Sequence, residues 1–373
     1  VVFERAISQS AWTRPAHASM FTGLYPSEHG IVAMSERRAL HPELPTLASA
    51  LGRAGYQRAA FTGGANMAPE FGFDSGFQVY RSEGRRLEDN LGPALDWVAG
   101  LDGEPFFLFL HGFDPHRPYR SQPEDRRAVG LPGQRTGGLK KACQSRRAPE
   151  NLEAHLAEYD AAVHRGDRSL GRFLRGLDRL GHRGDTVVLF TSDHGEEFFE
   201  HGRCFHIRTL YREVVEVPLV VHVPGLEARR FAAPVPASVS VAPTLLEIVG
   251  ARRRGVGGPT LLDALRGKQW QSDFVVSETS SRFRQGRGSG HVRSATRQDD
   301  KLVRWLSAAQ SEYFDLGSDR GETSAVEPGD RGRALESSLA DWAADHGPRV
   351  SAPMHGPLPG RLERKLRALG YAD

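Results

Sequence analysis

The stretch Thr13-Arg14-Pro15-Ala16-His17-Ala18-Ser19-Met20-Phe21-Thr22-Gly23-Leu24-Tyr25-Pro26-Ser27-Glu28-His29-Gly30-Ile31 decides how this chain is read. Pro15 fixes its own φ and disfavours a helical Arg14, so the approach is extended. Ala16 to Phe21 then reads as a short helix, closed at Thr22-Gly23 with the glycine as C-terminal cap. Thr13 therefore stands just ahead of a helix N-terminus, where unpaired N–H groups and the positive end of the dipole favour an anion. A hydroxyl at that place can cap the helix. It can also attack a phosphorus or sulfur centre once a metal lowers its pKa.

Two apolar runs end in chemistry-bearing residues. Thr186-Val187-Val188-Leu189-Phe190-Thr191-Ser192 leads into Asp193-His194-Gly195-Glu196-Glu197. This is the pattern of a buried strand whose carboxyl end points into the crevice of an α/β sheet. Asp193 offers an anionic oxygen and His194 an imidazole nitrogen, a mix that suits Zn, Mn or a similar divalent ion. Pro105 to Leu110 likewise runs into His111-Gly112-Phe113-Asp114-Pro115-His116, followed by Pro118-Tyr119. Asp114-Pro115 also reads as a turn initiator. Between Glu200 and Glu213 lie His201, Cys204 and His206, ahead of Leu210-Tyr211. His194, His201 and His206 converge only if the intervening loop folds back, and His201 reads equally as an exposed loop residue. Asp160 and His164 are one helical turn apart and read as a plain pairing on one helix face.

Together these segments resemble the sulfatase family of the alkaline-phosphatase superfamily. By that resemblance Thr13 takes the nucleophile place, Ala16 the place of a serine and His17 that of an arginine. Sulfatases carry there a cysteine or serine that becomes formylglycine. Threonine cannot, so the segment is more similar to relatives with a threonine nucleophile: nucleotide pyrophosphatase/phosphodiesterases and lipoteichoic-acid-type phosphoglycerol transferases. The resemblance implies one divalent metal ion (Zn, Mn or Ca) on Asp193, His194 and Thr13. A second metal is less favoured, because Asp114 and His116 are more closely spaced than in two-metal relatives. It further implies catalytic roles for Thr13, His116 and His206, and substrate contacts from His17, His111 and Asp114. The expected function is hydrolysis of sulfate or phosphate (di)esters by metal-activated Thr13. The alternatives are a phosphoryl or phosphoglycerol-type transferase using the same threonine intermediate, or an inactive sulfatase-like fragment.

Composition fits that expectation. The chain has 373 residues, 39% of them hydrophobic, enough for a large core. Its net charge of +3 suits a small anionic ester substrate, but the arginines are scattered and no nucleic-acid partner is expected. No apolar run approaches membrane-spanning length, so a soluble and cytoplasmic chain is expected. Cys143 and Cys204 are too few for a disulfide framework, and nothing in the sequence argues that they pair.

Alternating strand and helix patterns over residues 1–250 predict an α/β fold, a mainly parallel sheet with helices on both faces. Pro45 to Ala54, Leu87 to Leu101 and Pro149 to Leu180 read as helices; Tyr56 to Thr62 and Val217 to Val223 read as strands. Arg117 to Pro149 reads as a long polar loop, a lid or a solvated insertion. Residues 251–327 are expected to form a small C-terminal antiparallel α+β subdomain, with strands at Asp273 to Glu278, Lys301 to Trp305 and Glu312 to Leu316. Residues 328–373 read as a helical tail with no assigned role. The family's first strand, with its aspartate ligands, precedes text like Val1 to Ala6. The resemblance therefore implies an N-terminally truncated chain, lacking that strand and poorly active as given.

Overall fold

Apolar and amphipathic stretches alternate along the first part of the chain and fold as strands and helices in turn. They are β1 (Val2–Ile7), α1 (Thr13–Thr22), α2 (Pro26–His29), β2 (Arg38–Ala39), α3 (Leu47–Arg53), β3 (Gln57–Gly63), β4 (Val79–Gly84), α4 (Leu87–Ala99) and β5 (Phe106–Leu110). Next come α5 (Pro123–Ala128), α6 (Leu139–Ser145), α7 (Leu152–Arg179), β6 (Val188–Thr191), β7 (Glu197–Phe198), β8 (Cys204–Phe205), α8 (Arg212–Val215), β9 (Glu216–His222), β10 (Arg230–Phe231), β11 (Val235–Pro236) and α9 (Ser238–Ile248). The C-terminal part adds α10 (Leu262–Leu265), β12 (Val275–Ser281), β13 (Gly290–Arg297), β14 (Asp300–Trp305), β15 (Gln310–Asp315), α11 (Asp330–Asp345), β16 (Ala352–Pro353) and α12 (Gly360–Leu369). This computed structural model describes residues 1–34, 38–84, 86–119, 121–131, 139–270, 272–281, 290–350, 352–353 and 358–369.

In a three-stranded sheet β3 lies between β4 and β5, parallel to both. A second, mixed sheet has the order β10–β1–β9–β6, with β11 also pairing β1 and β9 antiparallel to β1 and β6. Among the described residues no strand pairs the second edge of β5 or of β6, and Phe190 on β6 is 42% exposed. The two-residue period of β5 serves both faces. Phe106, Leu108 and Leu110 pack toward α4 and α7 with Leu91, Val98 and Phe173. Phe107 packs toward α3 and α9, and Phe109 toward α1. Helices thus cover both faces, as the sequence pattern predicts.

The separate antiparallel sheet β12–β13–β14–β15 is the expected C-terminal element. The sequence reading passed over β13. Its Ser294, Thr296 and Arg297 look like loop residues, yet Ser294 and Thr296 are buried between β12 and β14. The presumed tail is docked onto the rest of the fold. Leu335 and Leu339 of α11 pack on this sheet, and Leu358, Leu362 and Leu366 join the core beside α1.

The segment 117–149 is not simply a loop. It carries α5 and α6, with residues 120 and 132–138 outside the described residues. Pro123 opens α5, Glu124 and Asp125 fill its first turn, and Asp125 Oδ2 accepts the Gln122 N–H at 3.0 Å. His164 does not pair with Asp160. Its Nδ1 lies 3.0 Å from Asp125 Oδ1, because α5 covers that face of α7. Cys143 of α6 is disulfide-bonded to Cys204 of β8. No described helix is long and apolar enough to cross a membrane.

Candidate functional site

All ten residues of α1 are buried, so this helix serves as an internal support for what stands at its N-terminus. Gly23 ends it in the left-handed region at φ 69° and donates its N–H to Ser19 O at 2.8 Å. Only glycine fits there, since a Cβ would lie 2.1 Å from Gly257 O. Thr13 is the first helical residue rather than a cap. The cap position is Trp12, with extended backbone and no side-chain capping bond. The Thr13 hydroxyl is thereby left to the site, 3.5 Å from His194 Nε2.

Asp193 and His194 arrive on the turn after β6. Ser8, just past β1, donates its hydroxyl to the Asp193 carbonyl and fixes that turn across the sheet. Gly195 lets the turn pass close to α8, where any Cβ would lie 2.1 Å from Glu213 O. Asp193 Oδ2 is 3.4 Å from His194 Nε2 and 3.7 Å from His17 Nδ1. Burial pushes the Asp193 carboxyl up, but His194, His17, His111 and His206 outweigh it and hold the group well below the usual carboxylate range.

The remaining imidazoles surround this centre. The His17 and His111 ring centroids are 4.8 Å apart, those of His116 and His206 5.3 Å, and those of His194 and His206 4.2 Å. Burial, then repulsion by His17, pushes His111 down to about 3; burial, then His206, pushes His116 down to about 3. His206 is also driven well below its ordinary value, chiefly by burial. Burial thus disfavours the charged form of each of these rings. Acceptors on Nδ1 fix their tautomers: His17 donates to Thr13 O, His194 to Gly195 O, His116 to Arg117 O and His206 to Glu196 Oε1, all within 2.7–2.8 Å. His194 Nε2 then faces the Thr13 hydroxyl and Asp193 Oδ2.

The structure thus brings together Thr13, His17, His111, His116, Asp193, His194 and His206. Asp114 is turned elsewhere: its Oδ2 accepts the Leu87 N–H at 2.7 Å and its Oδ1 lies 3.8 Å from Arg165 Nε, which joins α4 to α7. His201 also has a different setting, against Glu213, Glu322 and Tyr211. Sequence reasoning missed Glu196 and Tyr119 as the partners that orient His206, with Tyr119 O–H donating to Glu196 Oε2 at 3.2 Å. The acidic residue two places after His194 was the available signal.

The donor chemistry at Thr13, Asp193 and His194 (hydroxyl, carboxylate and imidazole) suits a divalent ion. Among the described residues no group of three His, Cys, Asp or Glu side chains is arranged to hold a metal ion.

The sulfatase family model matches residues 1–251. This chain belongs to the sulfatase family. Among sulfatase relatives, arylsulfatase K of Mus musculus is 26% identical over 319 residues, covering 70% of this chain and 57% of that protein. The chain spans a little over half the length of several of the curated relatives it matches. A structure solved with its substrate D-glucosamine-2-N,6-O-disulfate superposes with a TM-score of 0.75 at 18% identity, covering 95% of this chain and 92% of that one. The phosphonate monoester hydrolase of Agrobacterium radiobacter gives 0.73 at 19% identity, covering 94% and 89%. These likenesses show the shared fold.

Proposed function

We propose that this sulfatase-family chain is a metal-dependent hydrolase of small anionic sulfate or phosphate esters, with Thr13 as nucleophile. One observation carries the reading: the Thr13 hydroxyl, at the N-terminus of a buried helix, stands 3.5 Å from His194 Nε2 beside Asp193. Relatives described as a sulfatase of N-acetylglucosamine-6-sulfate type and as a phosphonate monoester hydrolase support an ester of sulfur or phosphorus. Asp193, His194 and Thr13 would hold one divalent ion, Zn, Mn or Ca, which would lower the hydroxyl's pKa and offset charge on the ester.

In this proposal the free N–H groups of α1 receive the anionic oxygens. Thr13 Oγ bonds to sulfur or phosphorus as the bond to the leaving oxygen breaks. The Thr13 proton passes to a neutral imidazole, His116 or His206, and from there to the leaving oxygen. Water then cleaves the threonine ester, which releases sulfate or phosphate and restores the hydroxyl. His17 and His111 line the bound group.

Turnover of aryl sulfate and phosphodiester reporters, with mass spectrometry of the trapped protein, tests this. The expected result is a modified Thr13 in the native protein, with neither modification nor turnover in Thr13→Ala. Equal turnover in Thr13→Ala would overturn it.

A further inference from the structure

His206 stands on a strained stretch of chain. Phe205 before it has φ 69° and Ile207 after it φ 93°, both in the left-handed region that bulky and β-branched residues avoid. Such a conformation persists only where its surroundings hold it. On the Ile207 side the holders are hydrogen bonds: its N–H donates to Ala11 O at 2.8 Å, and its carbonyl accepts the Thr279 hydroxyl at 2.7 Å. On the Phe205 side the Arg117 guanidinium lies 4.6 Å from the ring centroid.

Arg117 is tied at two further atoms. Its carbonyl accepts His116 Nδ1–H at 2.7 Å, and its Nη2 donates to Leu369 O at 2.7 Å. Leu369 ends α12, where carbonyls lack helical partners and the dipole is negative, so a guanidinium suits that place. α12 has only ten residues and needs tertiary packing to stay helical. Leu362 and Leu366 supply it, in the core beside α1. One residue thus joins the C-terminal helix to two site histidines: to His116 through its carbonyl, and to His206 through Phe205. The two imidazole centroids are 5.3 Å apart.

We infer that Arg117 is a positioning residue, anchored by the C-terminal end of α12, that fixes His116 and His206 relative to one another for the proton transfers of the proposed hydrolysis. This rests on the hydrolase reading above. Arginine suits the place because a planar guanidinium can stack on a ring by its face while donating from its edge, which an ammonium cannot do.

The full chain carrying Arg117→Ala or Arg117→Lys tests the role. Histidine-nitrogen NMR, amide hydrogen exchange and turnover of aryl sulfate and phosphodiester reporters are measured on each. Arg117→Ala should lower kcat about tenfold or more, with KM changed by less than about twofold. Its His116 and His206 nitrogen signals should shift, and amide exchange over residues 204–207 should quicken about tenfold. Arg117→Lys should keep part of kcat. A chain ending at Lys365, which removes the Leu369 carbonyl, should reproduce the Arg117→Ala effects, and combining the two changes should cost little more. Thermal unfolding checks that each variant folds. Native histidine signals and native exchange in folded Arg117→Ala would overturn the inference. The same result in a folded chain ending at Lys365 would overturn the part given to α12. Shifted signals in Arg117→Ala, with no ester turned over by the native protein, would sink the hydrolase reading and leave the positioning standing. Turnover with kcat unchanged in Arg117→Ala would do the reverse.

Discussion

His206 Nδ1 donates to Glu196 Oε1 at 2.8 Å, and both side chains are buried. Tyr119 holds the other carboxylate oxygen, so Glu196 cannot swing away. In the proposed reaction the pair would set which His206 nitrogen faces the reacting group, with Glu196 as a positioning residue. Glu196→Ala should lower kcat by about 10–100-fold with little change in KM, and Glu196→Gln, whose amide oxygen still accepts, should recover part of it. The His206 nitrogen NMR shifts should report Nδ1–H in the native protein and a mixture in Glu196→Ala. An unchanged tautomer in Glu196→Ala would refute this role.

Gly23 gives a stability prediction. Its positive φ and the 2.1 Å approach to Gly257 O leave no room for a side chain. Gly23→Ala should cost about 2–3 kcal/mol through strain at the end of α1. Denaturant unfolding measures it; a loss under about 0.5 kcal/mol, the scale of an ordinary surface change, would contradict the argument.

His201 sets a pH dependence. Both ring nitrogens donate, to Glu213 Oε1 and Glu322 O at 2.8 Å each, and the ring stacks on Tyr211. Burial pulls the imidazole down, but Glu213 outweighs it, and the pKa rises from 6.5 to about 9. The folded state thus binds the proton more tightly than the unfolded one. The resulting stabilisation is complete below 6.5 and lost as pH rises through about 9. Across that window the native protein should lose about 1–2 kcal/mol more than His201→Gln does. Parallel curves would exclude the assignment.

The Cys143–Cys204 bond spans a sequence separation of 61 residues, worth about 4 kcal/mol by loop-closure entropy. Cys143→Ser/Cys204→Ser should lower Tm and expose α6 to trypsin, with early cuts at Arg146 and Arg147. Intact-mass analysis of timed digests reads this out. Identical digestion of the bonded and double-variant proteins would show that α6 needs no tether.

What the sequence disclosed followed the reach of its local rules. That Thr13, Asp193 and His194 would stand close together was legible because each sits at the end of a patterned strand or helix, while their roles came only from the resemblance. Thr13 was misplaced by one detail, since the helix begins at it rather than after it. Glu196 and Tyr119 were not legible as a pair, because their contact joins the segment after β5 to the turn after β6. The cysteine pairing depends on where α6 docks, which no spacing encodes. His164 found Asp125 instead of Asp160 for the same reason: α5 lies on α7 in space and not in sequence.

The Thr13–His194 contact bridges 181 positions along the chain. During synthesis α1 leaves the ribosome long before the turn that carries Asp193 and His194. An N-terminal piece ending before β6 would carry Thr13, His17, His111 and His116 without Asp193, His194 or His206. The candidate centre is therefore a product of late long-range closure, and an incomplete translation product carries only one side of it.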